Sequence, residues 1–205
     1  MEVKSSTMSL RKNKDEDLRT KIIRDIQLHL VPVKAGEFMM GSYESTNELA
    51  KLYGSSPEYY NNERPMHKVF ISNHFWVGRT EITQKQYQAI MGVNPSHFKR
   101  EGENLPVENV SWEDAVEFCN KLTRREVNAG RLEPSMSFRL PTESEWEYCA
   151  RGGHLSKEKS INEISKLNDI SWNRNNSNER THSVAKKKEN ELGVFDLMGN
   201  VYEWC

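Results

Sequence analysis

Three times along this chain a hydroxyl residue is followed, three positions later, by a side chain able to bond back to it, just ahead of apolar residues at helical spacing. The pairs are Thr83 with Gln86, Ser111 with Asp114, and Thr142 with Glu145. Each pair satisfies backbone N–H groups that a helix start leaves without partners, so each fixes where a helix begins. The first helix has Tyr87, Ile90 and Met91 to bury. The second sets Ala115, Phe118, Cys119 and Leu122 on one face and ends by Gly130. The third follows Pro141 and carries Trp146, Cys149 and Ala150 on its apolar side until Gly152 and Gly153. What lies between is polar and punctuated by Gly and Pro, which predicts an α+β fold that is irregular and loop-rich.

The strands are expected to be short. Leu30, Val31, Pro32 and Val33, then Phe38, Met39 and Met40, are brief apolar runs bounded by turn residues. Val69, Phe70 and Ile71 and then Phe75, Trp76 and Val77 flank Ser72, Asn73 and His74, as a hairpin or a bent strand would. Residues 42–66 are polar and read as a long surface loop, and residues 154–191, rich in Lys, Asn and Ser, as mostly loop. Residues 1–29 form a charge-dense tail, partly disordered or helical over 17–28, because they offer too little apolar surface to offset ordering entropy. The domain proper is expected at 30–205.

Composition narrows the partners. The chain has 205 residues with a formal charge of -1, so no global field draws it to nucleic acid or an anionic membrane. No apolar run approaches the ~18 residues of a membrane span, and the N-terminus is polar rather than signal-like, which predicts a soluble, cytoplasmic chain. Oligomeric state is left open. The cysteines are Cys119, Cys149 and Cys205, an odd number without metal-site spacing, and reduced thiols are expected.

Seven segments in fixed order then carry a resemblance: 36–42 (GEFMMGS), 63–69 (ERPMHKV), 80–87 (TEITQKQY), 106–115 (PVENVSWEDA), 139–147 (RLPTESEWE), 150–153 (ARGG) and 193–204 (GVFDLMGNVYEW). Together they resemble the formylglycine-generating-enzyme, or sulfatase-modifying-factor, family. The resemblance implies a C-type-lectin-like fold with little regular structure. It also implies a family chemistry, oxidation of a cysteine in a protein or peptide substrate to formylglycine with oxygen and copper(I) held by two cysteines. In the family those cysteines follow the last segment, so the copper ligands are missing here and the fold is expected to lack its C-terminal part. No catalytic residue is assigned, and this chain is expected to be inactive as an oxidase. The alternative function is a non-catalytic lectin-like module that binds protein or glycan through the 42–66 and 154–191 loops.

One metal site is carried over. By resemblance the family's calcium ligands fall on Asp196 and Glu203 through side chains and on Gly199 and Val201 through carbonyls. These are the hard oxygen donors that calcium takes. The competing reading has Gly199 in a tight turn, Asn200 bonding local backbone and Trp204 in the core, with no ion. Cys119 and Cys149 read as core residues. The histidines His29, His67, His74, His97, His154 and His182 are scattered without metal spacing and read as surface or structural groups. Trp172 is the tryptophan placed to face a ligand, and Arg139 with Glu143 or Glu145 reads as a loop tether.

Overall fold

A computed structural model describes residues 21–99, 104–156 and 164–205. The apolar run LHLVPV forms β2 (Leu28–Val33), the middle strand of an antiparallel sheet between β1 (Lys21–Ile23) and β5 (Phe75–Gly78). Leu30 lies opposite Lys21 on one side and Gly78 on the other, and Val33 faces Phe75. Pro32 is opposite Trp76, past the end of β1, so its missing N–H falls where β2 has a single strand neighbour.

The period of two in this sheet divides the core. Leu28, Leu30 and Trp76 belong to one apolar cluster, with Tyr87, Ala115, Phe118, Cys119, Leu122 and Phe138. Val31, Val33, Phe75 and Val77 belong to a second, with Tyr148, Cys149, Leu192, Val194 and Leu197. A sheet covered on both faces reads as a continuous apolar run rather than an alternation, which is how 30–33 appears. A second antiparallel pair joins β3 (Gly36–Met40) to β4 (His67–Ile71). Gly36 opens β3 because a Cβ there would lie 2.3 Å from the Tyr148 hydroxyl.

The helices are α1 (Thr46–Tyr53), α2 (Gln84–Met91), α3 (Trp112–Asn128), α4 (Glu143–Ala150) and α5 (Ile164–Ile170). The three expected caps close α2, α3 and α4 as reciprocal pairs on Thr83, Ser111 and Thr142. On α3 the buried side chains Ala115, Phe118, Cys119, Leu122 and Glu126 form one stripe, and Phe118 stacks on Tyr87 at 5.5 Å. Glu126 tolerates that position because Arg131 bonds both its oxygens, at 2.7 and 2.9 Å.

Three local expectations are corrected. The described part of 17–28 is not helix. It is β1, a turn and the start of β2, with Ile23, Ile26 and Leu28 in the core, so ordered packing reaches back into the residues read as tail. Residues 1–20 lie outside the described residues. The 42–66 stretch carries α1, capped by Ser45 with Glu48, and a 3-10 turn over Pro57–Glu63. Of the hairpin and the bent strand expected over 69–77, the hairpin is excluded, since β4 and β5 enter different sheets, and the chain bends at 72–74. Among the described residues no helix is long and apolar enough to cross a membrane.

Candidate functional site

The segment running from Asp196 to Trp204 is knotted into the rest of the chain by backbone and side-chain bonds. Phe195 N–H donates to the Arg79 carbonyl at 2.9 Å, which sets the segment beside the residues that follow β5. Asp196 and Asn200 both take left-handed backbone, φ 62 and 71, a conformation in which Asp and Asn are enriched. Between them Gly199 N–H reaches the Asp196 carbonyl at 3.3 Å, and Val201 N–H reaches the Gly199 carbonyl at 3.0 Å. The result is a tight double turn.

Asn200 is its pin. Its Oδ1 accepts from the His182 N–H at 2.9 Å, while its Nδ2 donates to the His182 carbonyl at 3.0 Å and to Glu81 Oε2 at 2.8 Å. The side chain thus pairs with residue 182 as a strand neighbour would, and also serves a carboxylate that is fully buried. Asn200 N–H donates to the Trp172 carbonyl at 2.8 Å, and Gly199 rests on that same carbonyl so closely that a Cβ would lie 2.1 Å from it.

The four residues expected to hold calcium occupy this turn and its exit. Asp196 is 2% exposed and its Oδ2 accepts from the Ala185 N–H at 2.8 Å. Glu203 Oε2 accepts from the Trp146 indole at 2.8 Å, and the neighbouring Trp204 indole donates to the Val110 carbonyl at 2.9 Å. Each carboxylate is therefore also a structural tie, Asp196 to the 182–185 stretch and Glu203 to α4. The donor set is all oxygen within eight residues, which suits a hard cation. Among the described residues no three side chains of the His, Cys, Asp and Glu types converge, so backbone carbonyls have to complete any such site.

The copper chemistry meets a different answer. Cys119 and Cys149 are both buried, but one lies in the first cluster and the other in the second, on opposite faces of the β2–β5 sheet. Burial pushes the Cys119 thiol up to about 12, with Arg139 opposing only in part. Cys119 and Cys149 are therefore not placed to form the pair of converging sulfurs that copper(I) takes. Cys205 is exposed.

Other candidates resolve into structural parts. Trp172 stacks with His182 at 3.7 Å and 14°, and the Lys187 ammonium sits 4.0 Å from its ring, so its faces are occupied by the chain itself. Arg139 bonds both oxygens of Glu145 at 2.7 Å and the Leu140 carbonyl at 3.0 Å, which makes it the tether expected. Burial alone would raise the Glu145 carboxyl, but the Arg139 and Thr142 bonds outweigh it and hold the group below its usual range. Glu81, the partner of Asn200, gave no chemical signal in the sequence beyond its place in a motif. A cavity of about 280 Å³ lies between β4 and the start of α4, and one of about 400 Å³ between β1 and the end of α3. None of the four calcium candidates lines either.

Residues 22–205 match the profile of the family described as "Sulfatase-modifying factor enzyme 1-like domain". The chain is 33% identical over 173 residues to "Chaperone protein LppX" of Paenibacillus barcinonensis, covering 64% of this chain and 61% of that protein. It is 30% identical over 164 residues to "Inactive C-alpha-formylglycine-generating enzyme 2" of Mus musculus, covering 73% of this chain and 44% of that one. It thus spans less than two thirds of either relative. Among solved structures, "Treponema denticola variable protein 1" superposes with a TM-score of 0.68 at 31% identity, over 91% of this chain and 75% of that one.

Proposed function

Because this chain belongs to the sulfatase-modifying factor enzyme 1-like family, we propose that these residues use the family's fold as a calcium-stabilised module that binds a protein or glycan through its loops and do not oxidise a thiol by themselves. The observation that carries this reading is the separation of Cys119 and Cys149 by the β2–β5 sheet. A copper(I) oxidase of the formylglycine-generating kind needs a thiolate pair beside its substrate thiol, and rearranging these two would mean exchanging one core for the other. A mammalian relative that is itself called inactive is consistent with the reading.

The test is an oxygen-consumption and peptide-oxidation assay on the purified chain with copper(I) and a cysteine peptide. No conversion above the protein-free rate is expected, and in the same preparation a thiol reagent should reach Cys205 only slowly, because burial and the Glu203, Glu143 and Glu145 carboxylates push its thiol up to about 12, and Cys119 and Cys149 only after unfolding. Oxygen-dependent conversion that disappears in Cys119→Ser or Cys149→Ser would reject the proposal.

Calcium is the second part of it. Asp196 and Glu203 through carboxylates, with the carbonyls of Gly199 and Val201, would hold the ion, whose charge would fix the turn and the loops tied to it. A ligand that binds only the folded state at about a hundred times its Kd adds about 2.7 kcal/mol. That raises the melting midpoint of a domain of this size by about 8 °C. Millimolar calcium is expected to produce such a shift in the wild type and little in Asp196→Asn, which keeps an acceptor for the Ala185 N–H but loses the charge. Equal midpoints with calcium and with chelator would remove the ion from the proposal.

A further inference from the structure

The corner between β2 and β3 consists of Lys34 and Ala35, where the chain leaves the three-stranded sheet for the β3–β4 pair. Its two consecutive N–H groups are both received by imidazoles. Ala35 N–H donates to His74 Nδ1 at 2.8 Å, and Lys34 N–H donates to His154 Nδ1 at 3.3 Å. The rings come from different places, His74 from the bend between β4 and β5, and His154 from the 3-10 turn Gly153–Leu155 that follows α4. Tyr148 on α4 closes the corner by donating its hydroxyl proton to the Lys34 carbonyl at 3.3 Å.

A backbone N–H can only donate, so each Nδ1 must present a lone pair and each ring must be neutral with its proton on Nε2. That tautomer leaves no second lone pair for a metal, which rules out reading the two rings as a ligand pair. Protonation of either ring turns an acceptor into a donor aimed at another donor. We propose that His74 and His154 form an acid-sensitive latch, which holds the β2–β3 corner at neutral pH and releases the β3–β4 pair when both rings take a proton. Release would also open the cavity of about 280 Å³, since His74 and β4 form one wall of it and the start of α4 the other.

The surroundings favour release. Loss of water around its inner edge, then the Lys34 ammonium and His74, hold His154 below the ordinary histidine value. The other charged or titratable groups around the pair are already engaged. Glu147 and Arg151 bond each other and the Gly41 backbone, Arg139 and Glu145 are paired across the cavity from His74, and Glu191 packs on Gly152. Both imidazoles are exposed, so solvent protons reach them without unfolding. For His154, whose folded value is depressed, the stabilising bond is complete above the unfolded value near 6.5 and is lost as pH falls below it.

Amide hydrogen exchange on the full chain tests the latch. After correction for intrinsic rates, exchange at residues 34–40 should rise roughly fivefold from pH 7.5 to pH 5, with α3 unchanged as internal reference. The double variant His74→Asn with His154→Asn places an amide oxygen near each Nδ1 and cannot be protonated, and it should lose that response. A wild type whose 34–40 amides exchange alike at both pH values, or a double variant that keeps the wild-type response, would overturn the proposal. Imidazole 15N shifts of the wild type give a check that needs no variant: protonated Nε2 is expected on both rings at pH 7.5, and protonated Nδ1 on either would refute the latch. The copper and calcium assays above read different residues, so the latch and the proposed function can fail separately.

Discussion

Asn200→Asp is expected to cost about 4 kcal/mol of stability at pH 7.5, combining a lost bond to a charged group of up to about 3 kcal/mol with like-charge repulsion. The change is nearly isosteric, so packing is held constant. What it removes is the Nδ2 donor that serves Glu81 Oε2 at 2.8 Å and the His182 carbonyl at 3.0 Å, and it puts a second carboxylate against the first. Glu81 is fully buried and cannot turn to water. At about 3 °C per kcal/mol for a domain of this size, the melting midpoint should fall by about 12 °C. The pH dependence carries the mechanism. A new Asp facing Glu81 has a raised folded pKa, so the deficit is smallest near or below the unfolded value of about 3.9, grows as pH rises through the folded value, and is complete above it. Melts of variant and wild type at pH 5 and pH 7.5 should therefore converge on the acid side. Asn200→Ala removes the same donor from Glu81 but adds no second carboxylate, so its deficit should vary less with pH than that of Asn200→Asp, and a flat deficit in Asn200→Asp would mean that the Glu81 contact is not what the substitution disturbs.

That contact spans 119 positions of sequence, which explains why it could not be read beforehand. The features legible in the sequence were those whose physics is local. Thr83, Ser111 and Thr142 each announce a helix through a partner three residues on, and all three caps form. Ser45 with Glu48 obeys the same rule and caps α1, but it lies in a stretch whose polar residues and Gly54, Pro57 and Pro65 carry the signal of a loop. Residues 21–23 have no strand pattern of their own, and their conformation comes from pairing with β2. The burial of Cys119 and Cys149 was expected from their apolar neighbours, whereas their placement on opposite faces of a sheet depends on how β2 and β5 divide their side chains. For the candidate site, the turn from Asp196 to Glu203 was visible as a contiguous motif. Its partners Glu81, Trp172, His182 and Ala185 were not, because the fold alone brings them together. The same holds for His74 and His154, 80 positions apart and joined only through a corner that neither adjoins in sequence.

Gly199→Ala should be nearly as damaging for a steric reason. The added methyl would lie 2.1 Å from the Trp172 carbonyl oxygen and 3.0 Å from its carbon, with the Ser171 side chain at 3.4 Å. The obstacle is backbone rather than a flexible side-chain end, and Ser171 is itself fully buried, so neither wall can yield cheaply. The chain has to move apart until the methyl clears the carbonyl, which strains the 2.8 Å bond from the Asn200 N–H to that same carbonyl and draws Asn200 off His182. Overpacking of this kind costs about 3 kcal/mol, equivalent to a fall of about 9 °C in the melting midpoint. No titratable group is introduced, so the deficit should vary less between pH 5 and pH 7.5 than that of Asn200→Asp one position on. Exchange at the amides of 172 and 182 should rise with it, since the turn is what fastens those stretches to the core. If Gly199→Ala melts within 2 °C of the wild type, a margin below ~1 kcal/mol, then the 172–200 backbone contact is looser than described, and a calcium site built on the same turn loses its rigid frame.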